Sequence, residues 1–407
     1  MLSVGLDTHL KMHQVEVQNE RRKVMWRGRV TNDRKGFNEL LGKLKKIERS
    51  NGDAIAGVFI NPTSSYHLPI QHFLESNGYV VYYVDPRVSN SARRISNLGK
   101  EKSDPVDAHI LASTPWDVEK AMERKPHIRP GTSQLTRLLE SVKKNSSRII
   151  NMLSADLGAV FPEFLDFFPD ISKSTPLALL ERYSTPENIA RAGVSEVFGI
   201  MNRSSRGQRG LEDAQELLHI AEQSIGIPDV DGTYAFRIRE NVKRLRAELD
   251  SIREIEEEIL EKTEGNEDVK RIDDIRGIGP MNAATIVSEI GPIEQFDSAL
   301  KLQSYGGKAP TMKGSGGRNR AIGLSKVRNP HLSNAIYECA VSLVRHGNEE
   351  FLDIFNREIN KGKNNKQACV IVGRRLLYHI FTIMKNRKPY RQRLPGGERE
   401  GVSSTGS

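Results

Sequence analysis

The first third of the chain alternates apolar and polar positions before its period changes. Leu2, Val4 and Leu6 alternate up to Asp7, residues 12–17 alternate around Val15 and Val17, and residues 24–30 repeat the pattern, which predicts an antiparallel meander of three strands. Phe37, Leu40, Leu41 and Leu44 then fall at helical spacing within residues 34–50, and residues 54–60 form a short apolar run suited to a buried strand. A helix over residues 65–76, a strand over 79–84 and a helix containing Asp107 complete the order β-β-β-α-β-α-β-α. From Gln134 the spacing is that of a long helix, through Leu135, Leu138, Val142, Ile149, Leu153, Leu157 and Val160, broken by a Phe- and Pro-containing stretch at 161–169. Ile238, Val242, Leu245, Leu249, Ile252 and Ile259 advance by alternating steps of four and three with Glu256 off the pattern. That is the a/d seam of a coiled coil or, equally, one face of a helix lying on its own domain. The polar, Gly/Arg-rich residues 204–210 read as a loop.

Past Gly265 the composition shifts. Ile275-Arg276-Gly277-Ile278-Gly279-Pro280 ahead of Ala283, Ala284, Ile286 and Val287 predicts a helix-hairpin-helix, whose Gly-rich turn offers backbone N–H groups to a phosphate. Residues 306–320 are dense in Gly, Lys and Arg, a helix starts near Asn329, and residues 385–407 read as a disordered basic tail. The expected division is an α/β domain at 1–125, a helical coiled-coil region at 126–265 that mediates assembly, a mostly helical C-terminal domain at 266–384, and the tail at 385–407.

Charge narrows the partners. With 61 Lys+Arg against 52 Asp+Glu the net charge is +9, which favours a polyanion, and aromatic residues at 6% argue against recognition dominated by base stacking. Apolar residues at 37% beside 28% charged ones suit a soluble globular protein, and no run approaches the roughly 18–20 apolar residues of a membrane span. The first residues run straight into a strand pattern without a basic n-region, so the expected location is the cytoplasm of a prokaryotic cell, at the nucleoid, with no membrane partner. Cys339 and Cys369 are the only cysteines, which excludes a disulfide framework and a Cys-based zinc site.

A three-strand meander followed by αβαβ is the arrangement of the ribonuclease-H-like (RuvC-like) fold. On it Asp7 ends the first strand, Asn61 follows the fourth, and Asp104 and Asp107 stand three apart on one helix face. Side chains from those places converge on one metal site, where hard oxygens hold Mg²⁺ and paired ions serve phosphoryl transfer. Taken singly, Asp7 is a turn residue and Asp104 an N-cap ahead of Pro105, while His109 reads as an ordinary helix residue.

Gly5-Leu6-Asp7-Thr8-His9-Leu10-Lys11, Asn61-Pro62-Thr63-Ser64-Ser65-Tyr66-His67, Asp85-Pro86-Arg87-Val88 and Lys102-Ser103-Asp104-Pro105-Val106-Asp107-Ala108 resemble, in order and spacing, the DEDD transposases of the IS-one-ten family of insertion sequences. Residues 276–280 and the run Gly306-Gly307-Lys308-Ala309-Pro310, Gly314-Ser315-Gly316-Gly317-Arg318, Leu324-Ser325-Lys326, Asn329-Pro330-His331-Leu332 resemble that family's second domain. The family's second acidic residue is normally Glu, and the matching position here is Asn61, an oxygen ligand without negative charge. Asp85, ending the fifth strand, is a candidate to supply the missing charge.

Ser315 matches the family's catalytic serine; read bare, Gly-Ser-Gly-Gly is a flexible loop. Ser304 reads as part of the helix before the glycine pair, and Ser325 as a phosphate contact. Lys308, Lys313, Arg318, Arg320, Lys326 and Arg328 read as nucleic-acid phosphate contacts, with Arg374, Arg375, Arg387, Lys388, Arg391 and Arg393 as a second basic cluster. The resemblance implies a recombinase that moves its own element: Asp7, Asn61, Asp104 and Asp107 hold Mg²⁺ and Ser315 attacks DNA. It further implies a structured guide (bridge) RNA, and a homo-oligomer, dimer or tetramer, whose active sites combine the acidic domain of one subunit with the serine domain of another. Two rivals stay open: a RuvC-like junction nuclease using metal-activated water, and a nucleic-acid-binding protein whose chemistry Asn61 has weakened.

Overall fold

The computed structural model describes residues 1–61, 65–84, 104–117, 131–315, 318–324 and 328–391, with residues 117, 310–322 and 324 described as backbone alone. The chain divides into two compact units, Met1–Ile128 and Arg129–Ser407.

In the first unit β1 (Leu2–Asp7), β2 (Met12–Asn19), β3 (Val24–Thr31), β4 (Ile55–Ile60) and β5 (Val81–Tyr83) form one sheet in the order β3-β2-β1-β4-β5. The meander pairs antiparallel, and β1–β4 and β4–β5 pair parallel, as expected of a ribonuclease-H-like arrangement. Alternation sorts the faces. Leu2, Val4, Leu6, Val15, Val17, Val58 and Ile60 share a core with Phe37, Leu40 and Leu44 of α1 (Arg34–Asn51) and Ile70 and Leu74 of α2 (Leu68–Ser76). The opposite face presents Ser3, Gly5, Asp7, Glu16, Gln18 and Phe59, and α3 (Asp104–Asp117) covers it. Ser3 Oγ donates to the Ala112 carbonyl at 2.6 Å, and Leu111 packs with Phe59. Gly5 permits this closeness, since a Cβ there would lie 2.0 Å from the Ala108 carbonyl oxygen and 2.2 Å from the Ala112 nitrogen.

The second unit is mainly helical: α4 (Thr132–Val160), α5 (Pro162–Phe167), α6 (Ser174–Arg182), α7 (Pro186–Ser204), α8 (Leu211–Glu222), α9 (Thr233–Thr263), α10 (Glu267–Asp273), α11 (Pro280–Ile290), α12 (Ala299–Tyr305), the hairpin β6 (Pro310–Ser315) and β7 (Arg318–Leu324), α13 (Pro330–Arg345), α14 (Glu349–Asn360) and α15 (Asn365–Asn386). The two long helices run antiparallel: Ile238, Val242 and Leu245 share a core with Leu153, Leu157 and Val160, whereas Ile259 shares another with Leu139. The predicted seam on α9 is therefore filled from within the chain, and its two ends feed two cores. The Gly-rich turn between α10 and α11 forms as predicted, with Gly277 at φ +101. The start of the stretch expected to be a disordered tail, 385–407, is ordered structure: α15 runs to Asn386, and the Tyr390 hydroxyl donates to Glu350 Oε2 at 2.9 Å, while residues 392–407 lie outside the described residues. Among the described residues no helix is long and apolar enough to cross a membrane.

Candidate metal centre and serine hairpin

Packing of α3 on β1 decides where the acidic groups stand. The Gly5 contact brings the first turn of α3, with Asp104 and Asp107, to the end of β1 at Asp7, which is only 8% exposed. His9 Nε2 lies 3.0 Å from Asp7 Oδ2 and 3.4 Å from Asp104 Oδ1, and one ligand atom from each of the three residues falls within 4.8 Å of the others. Leu6 pairs with Ile60 in parallel register, so Asn61 follows β4 at the level where Asp7 ends β1. Burial pushes the Asp7 carboxyl above its usual range; His9 lowers it, and the charges of Asp107 and Asp104 raise it further. A crowded, partly desolvated carboxylate group of this kind fits a divalent cation, which the oxygens of Asp7 and Asp104 would ligate with Asp107 and Asn61 beside them. Asp85 lies outside the described residues.

His9 was not singled out from sequence, although its place two residues after Asp7 was the available signal. Glu16 was also missed. Fully buried between Val15 and Val17, it accepts from Gln18 Nε2 at 2.7 Å, Arg27 Nε at 2.7 Å and His109 Nδ1 at 2.7 Å. Burial raises its carboxyl, but His109, Gln18 and Arg27 outweigh that and hold it below the usual range. His109 ties α3 to the sheet through the buried Glu16 carboxylate and is not part of the Asp7, His9 and Asp104 group.

In the second unit, Gly- and Arg-rich residues with no predicted element form the hairpin β6–β7. Ser315 is the register partner of Arg318, and Lys313 that of Arg320, so these four positions fall on one face of the ribbon. Asn329, on the segment that follows the hairpin, belongs to a buried polar cluster. Arg137 on α4 donates from Nε at 2.7 Å and Nη2 at 2.8 Å to the fully buried Glu289, and Asn329 Nδ2 donates to the same carboxylate at 2.6 Å. Asn329 Oδ1 also accepts from the amides of His331 and Leu332, capping α13 ahead of Pro330. Lys308 corrects an expectation. Instead of facing solvent as a phosphate contact, it is 5% exposed, its Nζ donating to the Ser333 carbonyl at 3.0 Å and lying over the Tyr337 ring at 5.7 Å. Burial, aided by Arg328, lowers its pKa to about 8. Arg328 is exposed, its stem closing on Gly307 at φ +67. Lys326, Ser325 and Arg393 lie outside the described residues, and Ser304 belongs to α12 as predicted.

Comparisons with known proteins follow the same two ends. Residues 4–162 match the transposase family model DEDD_Tnp_IS110, and residues 269–355 match the model described as the transposase IS116/IS110/IS902 family. The mini-circle putative transposase for IS117 of Streptomyces coelicolor is 22% identical over 81% of each chain. The insertion element IS110 uncharacterized 43.6 kDa protein of the same species is 24% identical over 75% of this chain and 76% of its own. Among solved structures, T. thermophilus RuvC in complex with Holliday junction substrate is similar at 13% identity over 28% of this chain and 91% of its own, with a TM-score of 0.22, too slight a likeness to build on. With the acidic motifs inside the first matched segment and the serine hairpin inside the second, this chain belongs to the IS110 family of transposases.

Proposed function

We propose that this protein is a DNA recombinase that excises and inserts its own insertion sequence by metal-dependent strand exchange through a phosphoserine at Ser315. The observation that carries the reading is the meeting of Asp7 and Asp104 at the end of β1, in a chain whose two ends both match one transposase family. Asp7, Asp104 and Asp107, with Asn61 in the remaining place, would hold Mg²⁺, which when bound supplies the positive charge that phosphoryl transfer needs. Ser315 Oγ forms a bond to phosphorus as one bridging P–O bond of the strand breaks; the hydroxyl loses its proton and the released oxygen gains one. The ester conserves the bond energy, so rejoining needs no ATP. Lys313, Arg318, Arg320, Lys326 and Arg328 hold phosphates, and Lys308 serves instead as a buried anchor at the hairpin's root. On the family pattern, a structured guide RNA bridges donor and target DNA, and an oligomer pairs the acidic domain (1–125) of one subunit with the serine domain (266–384) of another.

The test incubates the full chain with divalent metal, RNA transcribed from the element's flanks and labelled DNA spanning its ends. A covalent protein–DNA adduct that survives denaturing electrophoresis is expected, and Ser315→Ala should remove it. Cleavage that persists in Ser315→Ala without an adduct would favour the junction nuclease. An adduct from Asn61→Glu alone would identify a dormant enzyme, and none from either would leave a binding protein.

A further inference from the structure

We infer that His9 is a metal ligand of the Asp7–Asp104 centre in this chain, and that its imidazole tilts the site away from Mg²⁺ toward a first-row transition ion such as Mn²⁺. The inference rests on the metal-site reading proposed above and deepens it. Octahedral ligands at bond lengths of about 2.1 Å stand about 3.0 Å apart when adjacent and about 4.2 Å when opposed. His9 Nε2 stands 3.0 Å from Asp7 Oδ2 and 3.4 Å from Asp104 Oδ1, and the whole set fits within 4.8 Å. The imidazole therefore occupies ligand distance from both carboxylates, and the bond it makes to Asp7 holds the nitrogen there in advance.

The loop carrying His9 is held although the side chain itself is half exposed. The His9 amide donates to His13 Nδ1 at 3.3 Å. Asn32 Nδ2 donates to the Leu10 carbonyl at 3.0 Å, and its amide donates to the Lys11 carbonyl at 2.9 Å. Donor chemistry sets the metal preference. Mg²⁺ takes oxygen ligands almost exclusively, whereas imidazole suits transition ions, and Asn61 places a neutral amide where a carboxylate would otherwise favour the harder ion.

The experiment titrates Mn²⁺ and Mg²⁺ separately into the full chain by calorimetry and records electron spin echo modulation of bound Mn²⁺, for the parent and for His9→Ala, Asp7→Asn and Asp104→Asn. The parent should show modulation from a directly bonded ¹⁴N. His9→Ala should abolish that signal and weaken Mn²⁺ by at least about tenfold, the loss that even an outer-shell partner of a ligand carries, while Mg²⁺ affinity moves less than about twofold. Unchanged Mn²⁺ binding in His9→Ala, or both ions binding more tightly without the competing imidazole, would overturn the assignment of His9 while leaving the carboxylate site intact. Failure of the parent to bind either ion, or indifference to Asp7→Asn and Asp104→Asn, would bring down the metal-site reading itself.

Discussion

Gly5→Ala tests whether helix packing sets the metal centre. An added Cβ would stand 2.0 Å from the Ala108 carbonyl oxygen, against 3.4 Å for ordinary contact, so α3 must retreat by 3.4 − 2.0 = 1.4 Å. The obstacle is backbone on both sides, so no side chain can swing away to absorb it. Overpacking of this kind costs about 1–3 kcal/mol. At about 4 °C per kcal/mol, the melting transition of this unit should fall by roughly 4–12 °C. A shift of that size opens the 3.4 Å approach of Asp104 to His9, and metal affinity measured by calorimetry should fall by about ten- to a hundredfold. Leu44→Ala is the control. It empties the core on the opposite face at a cost of about 2–5 kcal/mol, and should leave metal affinity where it was because nothing on α3 moves. Equal losses of metal affinity in the two variants, or none in Gly5→Ala, would refute the claim that the β1–α3 contact positions the acids.

Three further outcomes follow from buried charges in the second unit. Arg137→Met removes the two-pronged guanidinium contact from the fully buried Glu289 and should cost about 3–5 kcal/mol in denaturant unfolding, while Arg137→Met with Glu289→Met should recover most of it. Lys308 titrates near 8 when folded against 10.5 unfolded, so the unfolded state holds the extra proton between those values and stability should rise with pH across that window. Below pH 8 the buried ammonium costs about 3 kcal/mol; Lys308→Met, which also loses the bond to the Ser333 carbonyl, should be the more stable protein at pH 7 and lose that advantage above 10.5. Burial raises the Glu350 carboxyl, but His379, Tyr390 and Arg375 outweigh it and bring it to about 2. Its contribution of about 3 kcal/mol is therefore complete above 4.5 and lost as pH falls from 4.5 toward 2, and Glu350→Gln should flatten the acid limb of a stability-versus-pH curve.

What sequence reveals here depends on whether burial is apolar and regular. The meander and α1 were legible because Leu2, Val4, Leu6 and Val15, Val17 face one apolar layer, which imposes a period. The short helices α6 and α8 span too few turns to establish a period, α6 burying Leu177, Leu179 and Leu180 in adjacent positions and α8 only Ala214, Leu217 and Ala221, and they went unread. The hairpin was invisible for another reason: residues 306–320 carry glycines and cations without alternation, so its strands show only in the pairing of Lys313 with Arg320 and Ser315 with Arg318. Buried polar groups mislead most. Lys308 sits in a basic run and reads as solvated, and Glu16 takes a polar position of an alternating strand, yet each is paired with a helix that sequence spacing cannot place. The acidic set behaves differently, because strand ends and a helix start become neighbours once the sheet order is known. The resemblance to the transposase family marks Asn61 as the departing position, but only the geometry shows a nitrogen donor 3.0 Å from Asp7, supplied from the loop after β1 rather than from β4. The missing charge and the added imidazole are then two halves of one change in the site, and metal preference, read separately from DNA cleavage, is the property on which they must agree.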